Sequence, residues 1–199
     1  MARLFADVQH FDLPDSDIRY FPEFLSIDVA NQFFKVFRET VPWQQDDIKV
    51  FGKVYAQPRL TALYGTNGKP YRYSGITMYP HEFTKELLRL KELIETHTEV
   101  HFTSCLLNLY RDGQDSNGWH ADDEKELGTD PVIASISLGQ ERFFHLKHRH
   151  DRSLKLKLPL AHGSLLLMQG STQHHWLHQI AKTAKPVAPR INLTFRVIP

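Results

Sequence analysis

The sequence predicts an α+β protein that is mainly β, a sandwich or barrel of short strands with two helices packed outside it. Two patterns carry that expectation. From His101 onward the chain reads as short apolar segments, "HFTSCLLNLY", "VIASISLG", "ERFFHLK", "SLKLKL", "GSLLLMQG" and "INLTFRVI", separated by Gly, Pro and Asp clusters, which is the spacing of a β unit. Ahead of them stand two stretches whose apolar residues recur at helical intervals.

In chain order, a ragged start precedes the first helix. Ser26 caps "IDVANQFFKVFRET", and Val29, Phe33, Val36 and Phe37 recur on one face. Pro42 ends it, because proline has no N–H to continue the helical ladder. The stretch from Val50 to Gly75 is rich in aromatic and β-branched residues and is punctuated by Gly52, Pro58, Gly65 and the turn pair Asn67-Gly68, a pattern of short strands and hairpins. A second amphipathic helix follows Pro80, with Phe83, Leu87, Leu90 and Ile94 as its stripe. No repeat, low-complexity tract or linker divides the sequence, so residues 1–199 read as a single domain, with 1–100 an elaboration on the β core of 101–199.

Composition excludes several classes. The formal charge is +1, from 24 basic and 23 acidic side chains, so any nucleic-acid surface must be local. Cys105 is the only cysteine, within the apolar "SCLLNLY", which rules out an internal disulfide and predicts a buried thiol. The start, "MARLFADVQHFDLPDSD", is broken by charge and proline, and no apolar run approaches the roughly 18 residues of a membrane span. The expectation is a soluble intracellular protein without a secretion signal, cytoplasmic if bacterial or nuclear if eukaryotic.

The last strand is the most informative segment. In "RINLTFRVI" alternation puts Ile191, Leu193, Phe195 and Val197 on one face and Arg190, Asn192, Thr194 and Arg196 on the other. The polar row is either a solvated sheet face or an inward site for an anion, since guanidinium forks suit carboxylates. Asn108 and Tyr110 share a face of "LLNLY" in the same way. The segment "GWHADDEKELG" supplies His120-x-Asp122, two of the three ligands of a facial His/His/carboxylate iron site. A third is available in "STQHHWLHQIAK", where His174 and His178 share a face if the segment is extended and His175 points away. The residues alone leave His174 and His178 both open.

Taken in order, "NLYRDG", "HADDE", "PVIASISLG", "RFFHLKH", "LAHGSLLLM", "HHWLHQI" and "APRINLTFR" resemble the AlkB family of Fe(II)- and 2-oxoglutarate-dependent dioxygenases, and the likeness runs from Val50 to Arg196. The resemblance implies a double-stranded β-helix, a jelly-roll or cupin-like catalytic core over 101–199, with helices outside it and a nucleotide-recognition hairpin region within 1–100. It implies Fe(II) on His120, Asp122 and His178, with His174 a neighbour, and 2-oxoglutarate and O2 as cosubstrates. Asn108, Tyr110, Arg190, Thr194 and Arg196 correspond to residues that hold 2-oxoglutarate, with Arg196 at its distal carboxylate, and Asn192 lies on the same face.

Phe51, Gly52 and Lys53 in "VFGK", with "PRLTALYG" and "YRYSG", most resemble the branch that repairs alkylated bases in duplex DNA. A methyl group inside the base stack is reached only by flipping the nucleotide, and an apolar wedge such as Phe51 can fill the gap. Tyr71, Arg72 and Tyr73 match the base-contacting segment, and Asp123 and Glu124 are candidates to accept hydrogen bonds from the damaged base. The basic run from His145 to Leu158 is either a phosphate contact or a solvated strand-turn-strand.

The implied function is oxidative dealkylation of bases such as 1-methyladenine and 3-methylcytosine in DNA, with etheno adducts as further substrates. Formaldehyde, succinate and CO2 are the products. The implied partner is alkylated duplex DNA with a flipped base, bound by a monomer and away from any membrane. The alternatives are the same chemistry on RNA, protein or a small molecule, a non-catalytic barrel that binds a metal or an anion, and a zinc hydrolase, which leaves the Arg190 to Arg196 row without a purpose.

Overall fold

Two apolar layers organise the protein, and a polar cavity opens inside the second. The computed structural model describes residues 8–50, 53–73 and 76–199, with side chains for all of these except 48–50, 53, 71–73 and 76. The elements run β1 (Gln9–Phe11), β2 (Asp17–Phe21), α1 (Ile27–Thr40), β3 (Asp47–Val50), β4 (Lys53–Ala56), β5 (Leu60–Gly65), β6 (Tyr71–Tyr73), β7 (Ile76–Met78) and α2 (Lys85–Glu95). They continue with β8 (Ser104–Tyr110), β9 (Asn117–His120), β10 (Ile133–Gly139), β11 (Arg142–His148), β12 (Lys155–Leu160), β13 (Ser164–Gln169), the short α3 (Thr172–His175), β14 (Trp176–Ile180) and β15 (Arg190–Arg196). No helix among the described residues is long and apolar enough to cross a membrane.

A seven-stranded antiparallel sheet of order β1-β2-β13-β10-β15-β8-β5 faces a four-stranded one of order β12-β11-β14-β9. The hairpins β3-β4 and β6-β7 stand as separate two-stranded ribbons. Mainly β architecture with helices outside is therefore what the alternating segments foretold.

The first layer lies between the helices and the large sheet. Ser26 caps α1 by accepting from Val29 N–H, and Thr84 caps α2 by accepting from Leu87 N–H, each interaction worth about 1 kcal/mol to a helix start. Ala30, Phe33 and Phe37 of α1 and Leu87, Leu90 and Ile94 of α2 are buried against Leu107, Ile136, Leu167, Leu193 and Phe195. Phe83 precedes the α2 cap rather than riding on the helix, and the helix begins at Lys85. Cys105 is fully buried in this layer, and burial pushes its thiol well above the usual range.

The second layer lies between the sheets, where Leu106, Ile133, Phe144, Leu146, Leu158, Leu160, Leu166, Met168 and Trp176 pack together. The ragged start expected at the N-terminus is instead the hairpin β1-β2, which extends the large sheet by pairing β2 with β13. Asp12, Pro14, Asp15 and Asp17 hide the short alternation of Ile18 and Tyr20, both of which are buried. The segment is tied down at its turn as well. Trp176 Nε1 donates to Pro14 O at 2.9 Å, and Asp17 N donates to Thr172 Oγ1 at 2.9 Å. With β5 also in the large sheet, the first hundred residues contribute three of its seven strands.

Register in the middle of the large sheet sets the site. Asn108 stands opposite Asn192, Tyr110 opposite Arg190, and on the other side Ser137 opposite Asn192 and Gly139 opposite Arg190. Gly139 ends β10 at φ +87°, and a Cβ there would lie 2.5 Å from Pro189 O and 2.6 Å from Phe34 Cε2. Gly139→Ala should therefore cost about 2–4 kcal/mol of stability through backbone strain and overpacking, a fall of roughly 5–15 °C in Tm. A thermal melt within 2 °C of the unaltered chain would refute that requirement.

Candidate active site

Strand β9 ends in His120, and β14 brings His178 directly opposite it, with a bulge in the ladder just beyond. The two Nε2 atoms stand 3.1 Å apart. Asp122 lies two residues past the end of β9, and the ligand atoms of His120, Asp122 and His178 all fall within 4.8 Å of one another. His120 Nδ1 is 2.7 Å from Gly118 O. A proton on Nδ1 makes that contact a hydrogen bond and leaves the Nε2 lone pair for a metal.

Protonation suits a cation. Burial drives the Asp122 carboxyl upward, but the Arg196 guanidinium, followed by His178 and His120, overrides it and holds the group at about 2. His178 is held down at about 3, first by burial and then by His120, and burial also lowers His120 against the pull of Asp122. At neutral pH the set is thus two neutral imidazoles and one carboxylate, the form in which these side chains bind metal. This donor set fits a first-row divalent ion with open positions. His174, the other candidate from sequence, is excluded because it pairs with Asp130 at 3.0 Å near the surface. The alternation argument failed there because Thr172–His175 is a helical turn and extended backbone begins only at Trp176.

The polar row of β15 faces inward and lines the same pocket as the triad, together with Asn108 and Tyr110. Its apolar face, Ile191, Leu193 and Phe195, packs toward the helices, while Val197 falls beyond the strand end. Arg190 is 1 % exposed. Its Nη2 donates to Ser137 Oγ at 2.8 Å, its guanidinium carbon lies 5.2 Å from the Tyr110 ring centroid, and its Nε has no hydrogen-bond partner among the described residues. Burial lowers Arg190 to about 10, so it remains a cation at neutral pH. A buried cation with an unsatisfied donor suits an anionic ligand.

Arg196 behaves differently. Its Nη2 donates to Asp122 Oδ1 at 2.8 Å, with both side chains nearly fully buried. Sequence set Arg196 at the distal end of an organic acid, and in the structure its guanidinium is engaged with the Asp122 carboxylate. A group committed to the triad carboxylate stands at the metal end of the pocket, and Arg190 stands at the other end with Tyr110. Asn192 donates to Ser135 Oγ at 2.8 Å and Ile136 O at 3.1 Å and accepts from Thr194 Oγ1 at 3.1 Å, so its amide holds the wall together.

Several site residues escaped the sequence reading. Arg59 is buried and donates through Nε to Asn108 Oδ1 at 2.7 Å, which leaves the Asn108 amide NH2 as the group able to face a ligand. Gln173 is 1 % exposed, and its Oε1 accepts from the Asp122 backbone N–H at 2.9 Å. Ser135 lines the pocket and Ser137 supports it by accepting from Arg190, and their alternation in "VIASISLG" was a usable signal. For Gln173, hidden among the histidines of "STQHH", the sequence offered none.

The nucleotide-facing expectations are located only in part. Phe51 and Gly52 lie outside the described residues, and the side chains of Lys53, Tyr71, Arg72 and Tyr73 do as well, although β4 begins at Lys53 and β6 spans Tyr71–Tyr73. Asp123 is engaged by Arg149 Nη2 at 2.6 Å. Glu124 is half-buried ahead of the 3-10 turn Lys125–Leu127.

Comparison with known proteins accords with this geometry. Residues 17–196 match the model of the 2OG-Fe(II) oxygenase superfamily. Among curated relatives, the alpha-ketoglutarate-dependent dioxygenase alkB homolog 3 of Bos taurus is 42 % identical over 191 residues, 89 % of this chain and 64 % of the relative. The human DNA oxidative demethylase ALKBH2 is 41 % identical over 158 residues, 76 % of this chain and 60 % of the relative. The chain thus spans less than two thirds of the length of these relatives. In fold it resembles the solved structure of OsALKBH1, with a TM-score of 0.66 at 15 % identity, covering 96 % of this chain and 100 % of that one. The chain belongs to the 2OG-Fe(II) oxygenase superfamily, whose members take Fe(II), 2-oxoglutarate and O2.

Because proton competition is suppressed at His178 and reduced at His120, Mn(II) affinity measured by titration should fall by less than about tenfold between pH 7.5 and 5.5, whereas two histidines near 6.5 would lose about a hundredfold. A hundredfold loss over that range would contradict the depressed histidines. In the same assay Gln173→Leu should weaken Mn(II) binding by about 10–100-fold, as loss of an outer-shell support does. Unaltered affinity in the folded variant would remove Gln173 from the site.

Proposed function

We propose that the chain is an Fe(II)- and 2-oxoglutarate-dependent dioxygenase that removes N-alkyl groups from nucleic-acid bases, with 1-methyladenine and 3-methylcytosine in DNA as its substrates. One observation carries the reading: a His120/Asp122/His178 set, with Asp122 and His178 buried, and a buried, anion-seeking Arg190 share one pocket. Likeness to relatives named for AlkB-type dioxygenation and DNA oxidative demethylation supports the choice of substrate. A zinc hydrolase would have no use for the cationic end of the pocket.

In this reading His120, Asp122 and His178 hold the iron. Arg190, with Tyr110, takes the distal carboxylate of 2-oxoglutarate, while Asn108 and Thr194 line the path between. Bound there, iron with 2-oxoglutarate and O2 supplies a two-electron oxidation of a C–H bond, with succinate and CO2 as coproducts. The N-methyl carbon gains a hydroxyl, and the resulting hemiaminal breaks its C–N bond, so the base recovers its nitrogen and the carbon leaves as formaldehyde. Arg196 fixes the Asp122 carboxylate, and Arg59 turns the Asn108 amide toward the ligand. Ile133, Phe144, Leu160, Met168 and Ile180 give the pocket apolar walls that keep bulk water from the reacting carbon. Phe51 is the wedge that sequence nominates for opening a duplex, and Tyr71, Arg72, Tyr73 and Glu124 are the nominated base contacts. Asp123 joins them only by leaving Arg149.

The test is formaldehyde and succinate release on a panel of methylated duplex DNA, single-stranded DNA and RNA. Equimolar products dependent on iron, 2-oxoglutarate and methylated DNA are expected, with turnover abolished by His120→Ala or Asp122→Ala. Arg190→Ala should raise the 2-oxoglutarate KM by about 10–100-fold, through loss of a charge-assisted contact, without changing Mn(II) affinity. A preference for RNA would redirect the substrate. Full activity without the triad would end the oxygenase reading.

A further inference from the structure

The outer face of the four-stranded sheet takes no part in the chemistry above. Strand alternation turns Phe144 and Leu146 into the core and Phe143, His145 and Lys147 outward on β11, while Lys155 and Lys157 point outward on β12. No residue of β9, β11, β12 or β14 is acidic, in a chain whose basic and acidic side chains otherwise nearly balance at 24 and 23.

Two large apolar side chains stand in solvent on this sheet, Trp119 at 40 % exposure and Phe143 at 45 %. Each is paired with a lysine: Lys147 Nζ is 4.2 Å from the Trp119 ring centroid, and Lys157 Nζ is 4.0 Å from that of Phe143. At one end the face runs into a groove of ≈ 510 Å³ where Phe143, His145 and Lys157 meet Lys182 and Lys185, with Glu141 its single acidic lining residue.

The geometry points to this face as a track for an unpaired nucleic-acid strand flanking the base presented to the pocket, an inference that rests on nucleic acid being the substrate. Exposed rings interleaved with ammonium groups are what single strands bind, bases stacking on the rings and phosphates meeting the cations. An acidic peptide would use the lysines and leave the rings in water. A duplex keeps its base faces stacked against one another and gives the rings nothing to meet. The rings sit on β9 and β11, which are separated by β14, two strand spacings or roughly 10 Å. A strand that engages both extends beyond a single nucleotide.

Fluorescence anisotropy with an unmethylated oligothymidylate of about 20 nucleotides tests this without metal or turnover. The double variant Phe143→Ala/Lys157→Gln should bind it at least about tenfold more weakly, and its plot of log affinity against log salt should lose about 0.7 of slope for the missing phosphate contact. Lys147→Gln alone should lose the same slope. Formaldehyde release from a methylated trinucleotide, which carries a single nucleotide on either side of the base, should stay within about twofold in both variants. Wild-type affinity and slope in variants with unchanged Tm would overturn the proposal. So would a poly-glutamate chain that binds the unaltered protein as tightly as the oligonucleotide and weakens in the same variants. If oligonucleotide binding responds as expected but no trinucleotide turnover is found, the track stands and the dealkylase reading fails.

Discussion

Two guanidinium groups buried on one face of one strand constrain the rest of the structure. An unpaired charge cannot rest in a dry interior, so each needs an answer. Arg196 is answered from within by Asp122, across 74 residues of sequence. Removing one member of such a buried pair costs about 3–5 kcal/mol, and that coupling ties the last strand to Asp122, just beyond the β9 end that carries His120. Arg190 is surrounded by Ser137, the Tyr110 ring and the cation of Arg142. None of these is acidic, and in the proposed reading a ligand supplies the counter-charge, with the metal at one end of the pocket and the acid at the other.

Much of the remaining architecture keeps those two arginines where they are. β15 is held between β8 and β10, and both neighbours contribute hydroxyls and amides at the matching positions. Ser137 stands across from Asn192 and bonds to Arg190, and Ser135 stands across from Thr194 and bonds to Asn192. A slip of one residue would turn every polar group of the row toward the helices and every apolar one into the pocket. Gly139 guards against that slip by ending β10 in a backbone conformation that a side chain would block.

Sequence reading reached the parts of this plan that are local and periodic. The two faces of β15, the pairing of Asn108 with Tyr110, and both helix stripes follow from alternation or helical spacing within a few residues. His120-x-Asp122 was visible as chemistry, although its third partner stayed ambiguous until the resemblance and then the fold removed His174. What was illegible depends on distance in space. The engagement of Arg196 with Asp122 was out of reach because the two lie 74 residues apart, and Gln173 carried no pattern because it serves a backbone N–H 51 residues distant. The β1-β2 hairpin was hidden for a different reason, its strands being too short and too interrupted by aspartate and proline for their alternation to register.

That hairpin has a bearing on how the protein can be divided. β2 covers the edge of β13, Ile18 and Tyr20 pack beside the pocket wall, and the turn before them is fastened to Thr172 and Trp176 on either side of the segment that leads to His178. A shortened version beginning at the first helix would keep every residue of the chemistry and lose the brace behind it. The stretch that reads in sequence as a ragged start is a structural member of the pocket wall, and the folded unit around the candidate site is larger than its motifs suggest.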